Sequence, residues 1–146
     1  MRATALCLAL LLAACAVETA DAGITVTQAR IGAPTGPNAA LYMVIQAGDG
    51  NDRLLSAETE VADAVELHET TTSADGATGM RALDGLDLSS GSDLVLEPGG
   101  HHLMLIDVEP LEVGQRVDVT LVWETAGSMT VVAEVVDPAD TMEDDP

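Results

Sequence analysis

Between Gly23 and Val136 the apolar residues of this chain alternate with polar ones, and no run keeps the three-and-four spacing of a helix. Arg116–Glu124 puts Val117, Val119, Leu121 and Trp123 on one face, and Ser128–Val136 does the same with Met129, Val131, Ala133 and Val135. In Ala64–Glu69, Val65 and Leu67 point one way while Glu66 and His68 point the other. A period of two marks a strand with one face on a core. Further strands read at Gly23–Ile31, Ala39–Gln46, Arg53–Glu58, Met80–Leu83, Leu86–Leu88, Asp93–Leu96 and His102–Val108. Turn-rich pieces such as Gly32–Asn38 and Ala47–Asp52 separate them, and Thr70–Gly79 reads as a hairpin or a mobile loop. Short strands between Gly, Pro and Asp turns predict an all-β, antiparallel sandwich or barrel in one domain. Its core must be mostly aliphatic, because the chain has one Trp, one Tyr and no Phe.

The ends differ from this middle. Met1-Arg2 followed by the apolar run Ala3–Ala14 has the form of a signal peptide, too short to span a bilayer. Two processing sites fit: a lipobox-like Leu12-Ala13-Ala14 before Cys15, which would carry a lipid, or cleavage after Ala22 in Ala20-Asp21-Ala22. Both export the protein to the periplasm or cell envelope. The leader is assigned to residues 1–22, the folded domain to 23–136 and an acidic, disordered tail to 137–146. Both cysteines, Cys7 and Cys15, lie in the leader, so the domain has no disulfide and no thiolate for a blue-copper or Cys-rich zinc site.

The formal charge is −20, from 25 acidic residues against five arginines and no lysine. That balance argues against nucleic acid as a partner. The acids are spread along the chain and are not gathered near the histidines, which favours adaptation to salt over local attraction of cations.

The candidate chemistry gathers at Glu97–Ile106, E-P-G-G-H-H-L-M-L-I. If Leu103 and Leu105 face the core, His102 and Met104 share the other face. An imidazole beside a thioether suits a soft ion, above all Cu(I). His68 ends a strand before the polar loop, and Met80 lies beyond that loop, which gives H-x11-M-x21-H-x-M.

This spacing resembles that of the PCuAC-type periplasmic copper chaperones, position for position at His68, Met80, His102 and Met104. The surrounding V-E-L-H, L-E-P-G-G-H-H-L-M-L and A-G-S-M-T-V segments are similar too, and the likeness runs from about Gly23 to Val136. The resemblance implies a cupredoxin-like β-barrel that holds Cu(I) at a surface site. It implies delivery to a copper acceptor, the CuA centre on cytochrome c oxidase subunit II or a Sco-type protein. Glu69 departs from the methionine that some members carry there; alternation aims it away from His68, and a hydrogen bond to a ligand histidine is the role expected of it.

The remaining donors read differently. Met43 and Met129 fit packing positions, and His101 alternates away from His102, with a role only if the site takes Cu(II). Met142 in the tail has no spacing support. No nucleophile–base pair and no paired catalytic carboxylates stand at a recognisable spacing, so an enzyme is not expected. A monomer is expected, with a membrane contact only through a lipid on Cys15. The alternatives are copper storage or tolerance in the envelope, and a metal-free β-sandwich interaction module.

Overall fold

A computed structural model describes the backbone of Glu18–Thr19 and residues 23–141. The leader, both processing sites and Met142 lie outside the described residues. Eleven strands follow in chain order: β1 (Glu18–Thr19), β2 (Thr25–Gly32), β3 (Ala39–Gln46), β4 (Asp52–Glu58), β5 (Ala62–Thr72), β6 (Thr78–Ala82), β7 (Leu86–Leu88), β8 (Asp93–Leu96), β9 (His101–Val108), β10 (Arg116–Trp123) and β11 (Gly127–Val136). They form one sheet in the order β6-β5-β9-β8-β3-β2-β11-β10-β4-β7, with β1 added beside β2. The sheet folds over on itself, so that β4 and β5 meet across its two halves.

Alternation decides which side faces in. Leu41, Met43 and Ile45 on β3, Leu103 and Leu105 on β9, Val117, Val119, Leu121 and Trp123 on β10 and Met129, Val131, Ala133 and Val135 on β11 are all buried. Met43 and Met129 are therefore core residues, as their positions predict. Most pairings are antiparallel; β2 with β11 and β8 with β9 are parallel, which local alternation does not reveal.

Of the two readings of Thr70–Gly79, the structure has the hairpin: β5 runs on to Thr72, and a turn closed by Ser73 N–H donating to Ala77 O at 2.9 Å leads into the antiparallel β6. The acidic tail expected to be disordered from Asp137 begins with a short 3-10 turn, Pro138–Asp140. Asp137 caps that turn by accepting from Ala139 N–H at 3.0 Å, and Thr141 beyond it is buried.

The edge of β3 is shared. Ala39–Leu41 pair with β9, whereas Met43–Gln46 pair with β8. The Glu97–Gly100 turn joins these two partners beside Tyr42. It reverses tightly, with Gly100 N–H donating to Glu97 O at 3.0 Å and Glu97 N–H to His101 O at 2.8 Å. Gly99 supplies the positive φ of 80° that this reversal needs.

Candidate metal centre

The register of β5 on β9 pairs His68 directly with His102 and Glu66 with Met104. On the other side of β5, His68 faces Ala82 and Thr70 faces Met80. Directly paired residues in an antiparallel ladder share a face, and so do residues two apart. All four sequence-predicted donors therefore lie on the outer face of β6, β5 and β9. Leu67, Leu103 and Leu105 occupy the opposite, core-facing side.

Within that face the two histidines come together. Their ring centroids are 5.7 Å apart and the planes meet nearly edge-on, at 79°. Met104 is diagonal to His68 and two residues from His102. Met80 is diagonal to His68 from the far side, where such neighbours stand about 7–8 Å apart between Cα atoms. Met80 is 59% exposed and Met104 is partly buried.

The imidazoles are not on an open rim, as the sequence reading expects. His102 is only 2% exposed, and the His68 side chain 14%. Tyr42 from β3 covers His102, with ring centroids 6.2 Å apart. The site is thus deep at its nitrogens and open at the Met80 thioether.

Each imidazole has one nitrogen engaged and one without a partner. Nε2–H of His68 donates to Oε2 of Glu66 at 2.8 Å, and Nδ1–H of His102 donates to the Gly100 carbonyl at 3.3 Å. The same carbonyl also accepts from Thr70 N–H at 3.0 Å, which ties the turn to β5. His68 Nδ1 and His102 Nε2 are buried and make no hydrogen bond. Two tautomers fixed by acceptors, each leaving a lone pair inward, is the arrangement metal-binding histidines need. Trp123 Nε1 is also buried without a partner, but an indole N–H is only a donor and cannot bind a cation.

Burial lowers the pKa of His102, and neighbouring His68 and His101 add to the effect; the Gly100 carbonyl opposes it. The neutral, metal-binding form is therefore favoured. Among the described residues no group of three or more His, Cys, Asp or Glu could hold a metal. A metal set at this place must draw on the thioethers.

Sequence reasoning assigned the supporting carboxylate to the wrong residue. Glu69 lies on the opposite face, hydrogen-bonded to Arg81, with His101 Nε2 at 3.7 Å from its Oε1. The Arg81 hydrogen bond lowers its pKa, and desolvation opposes that in part. The carboxylate that accepts from His68 is that of Glu66, two residues before it. The alternation that set Glu66 and His68 on one face was the available signal.

The sequence and the fold are similar to those of known proteins. Residues 21–135 match the family model LpqE-like, described as "Putative lipoprotein LpqE-like". A relative from Leifsonia xyli subsp. xyli, named "Putative lipoprotein Lxx21020", is 35% identical over 117 residues, covering 79% of this chain and 70% of its own length. Among solved structures, the copper-bound PCuAC domain from PmoF2 is similar with a TM-score of 0.68 and 30% identity, over 83% of this chain and 98% of that one. The Cu(I) form of DR1885 from Deinococcus radiodurans is similar with a TM-score of 0.60 and 32% identity, over 75% of each chain. With its cupredoxin-like sheet, its paired histidines and these relatives, the chain belongs to the LpqE-like family and carries a PCuAC-type domain.

Proposed function

We propose that this protein is an extracytoplasmic copper carrier that binds Cu(I) through His68, His102, Met104 and Met80 and hands it to an acceptor protein. The observation that carries the reading is the pair of buried, unpartnered nitrogens, His68 Nδ1 and His102 Nε2, on directly paired residues of β5 and β9. Leaving two such atoms unsatisfied costs about 1–3 kcal/mol each unless something binds them. The chemistry of the donors selects the ion: two neutral imidazoles and two thioethers, with no thiolate, favour Cu(I) over hard cations.

The layout also suits transfer. The imidazoles hold the ion from below, each fixed by its acceptor. Met80, on the exposed β6, is the donor an incoming ligand reaches first. Replacement of Met80 by an acceptor's ligand, followed by Met104 and then the histidines, moves the ion without freeing it. The protein makes and breaks no covalent bond of a substrate, so its role is that of a carrier and not an enzyme. The acceptor that the family resemblance implies is the CuA centre of cytochrome c oxidase, reached directly or through a Sco-type protein. Lipidation of Cys15 would tether the carrier to the membrane where such acceptors reside, and the lipoprotein relatives support this anchor.

Competition titration against a Cu(I) chelator under reducing conditions tests the reading. His68→Ala and His102→Ala should each weaken binding by about a hundredfold or more, and Met104→Leu by about tenfold. Circular dichroism should show the sheet retained in all three. Unchanged affinity in both histidine variants would overturn the assignment.

A further inference from the structure

β6 ends the sheet. It pairs with β5 on one side, and among the described residues no strand pairs with its other edge. Nothing in the strand blunts that edge: it has no proline and no lysine, and its register on β5 runs without a bulge. Its charged side chain, Arg81, is held by Glu69 on the face away from the histidines.

The ladder fixes which backbone groups of β6 point outward. Leu83 N–H donates to Leu67 O at 2.8 Å, and Ser73 N–H to Ala77 O at 2.9 Å. Bonded positions recur at every second residue of an antiparallel pair, so Gly79 and Arg81 also bond to β5. Thr78, Met80 and Ala82 therefore aim their N–H and C=O groups at the open edge. Met80 pairs with Thr70 and Ala82 with His68, so these same residues present their side chains on the histidine face. Backbone donors, backbone acceptors and an exposed thioether meet in one short strip.

Charge marks both ends of that strip. Asp75 lies in the turn before β6 and Asp84 just after it, and both are exposed. A second copy pairing antiparallel about Met80 would set Asp75 of each chain beside Asp84 of the other. Like charges across a strand pair are destabilising, and the −20 on each chain adds to the repulsion. A segment with a basic residue at each end meets opposite charge at both.

We propose that β6 is the docking edge for the copper acceptor, which adds an extended segment as a further strand, with a Met or His opposite Met80 and a basic residue at each end. The inference rests on the Cu(I) carrier reading above and names how its partner is recognised. Main-chain bonds to β6 supply the affinity, and the paired side chain supplies the specificity. Bonding to both Met80 N–H and Met80 C=O sets the opposing Cα about 5.5 Å away, with its side chain on the histidine face. Its thioether or neutral imidazole then gives a lone pair to Cu(I) as the bond from the Met80 sulfur breaks; no proton or electron moves. Three outward residues make a small interface, below about 1,200 Å2, which suits a partner that must leave after transfer.

The test uses the full chain loaded anaerobically with Cu(I), and a heptapeptide with a central Met, an Arg at each end and Thr and Val between. Temperature coefficients of the amide proton shifts read which N–H groups are bonded. Met80 and Ala82 should become bonded as peptide is added, with an apparent Kd below about 1 mM, while Gly79 and Arg81, already bonded to β5, stay as they are. The same peptide with its backbone nitrogens methylated, or with Glu in place of each Arg, should bind at least about tenfold more weakly. Thr78→Pro, which removes an outward N–H at the first position of the strand, should weaken peptide binding by about tenfold and leave Cu(I) affinity within about twofold. Cu(I) passing to the peptide with the Met80 and Ala82 amides unchanged, equal binding of the methylated peptide, or no binding at that concentration would overturn this inference and leave the carrier reading standing. Failure of the wild-type chain to bind Cu(I) would overturn both. Met80 and Ala82 amides that become bonded as protein concentration rises, without peptide, would assign the edge to a second copy and contradict the proposal.

Discussion

His102 illustrates how much one residue's surroundings decide. Its position on the outer face of β9 was legible, because Leu103 and Leu105 had to face the core. Its burial was not legible, since the cover comes from Tyr42, sixty residues earlier in the chain. The carboxylate behind His68 was half legible: alternation paired it with Glu66, but Glu69 sits next to it in sequence. Burial has a consequence for stability. The folded state holds the His102 pKa below its ordinary 6.5, chiefly by desolvation. As pH falls below 6.5 the unfolded chain takes up the proton first, so stability declines until folded His102 also protonates; above 6.5 this contribution is fully present. Glu69, held low by Arg81, loses its share only in the carboxylate range, well below that window. The urea midpoint of the metal-free protein should therefore fall between about pH 7.5 and 5.5, and His102→Gln should shrink the fall. An equal fall in that variant would contradict the assignment to His102.

Among the elements, β6 stands apart. All five of its residues are exposed, so it adds no side chain to the core. That is why its pairing with β5 was legible only as one of two readings, a hairpin or a loop: Thr70–Gly79 offers no apolar alternation, and the strand is held by backbone hydrogen bonds and the Arg81–Glu69 pair. By contrast, Ala39–Gln46 and Asp93–Leu96 were legible to the residue, because buried Leu41, Met43, Ile45 and Leu96 fix them. The start of the tail was misjudged for a related reason. Acidic composition hid the Asp137 cap and the seat of Thr141 on Gly32. A strand with no buried side chain should open far more readily than the sheet as a whole. Amide hydrogen exchange in the metal-free protein should be fast across Thr78–Ala82 and slow across Leu103–Leu105. Cu(I) should slow exchange in β6, because Met80 then joins a site fixed to β5 and β9. Equal protection of β6 and β9 without metal would show that β6 is not the mobile flap that ligand exchange requires.

At the scale of the molecule, the charge of −20 falls on a 146-residue chain with no lysine to offset it. Arg53 pairs with Asp87 and Arg81 with Glu69, and five arginines can offset only a few of the 25 acids. Mutual repulsion of the remaining carboxylates is screened within about 10 Å at 0.1 M salt and within about 3 Å at 1 M. The melting temperature of the metal-free protein should rise steadily with sodium chloride over that range; a flat or falling curve in calorimetry would argue against self-repulsion as the dominant surface effect.

The whole account turns on two histidine nitrogens and the neighbouring thioethers closing on one soft ion. X-ray absorption at the copper edge, on the full chain loaded anaerobically with one equivalent of Cu(I), reads that set directly. The account predicts a Cu(I) edge with both nitrogen and sulfur in the first coordination shell, and loss of nitrogen scattering in His68→Ala and His102→Ala. A shell of nitrogen and oxygen alone, or the same spectrum in both variants, would contradict it.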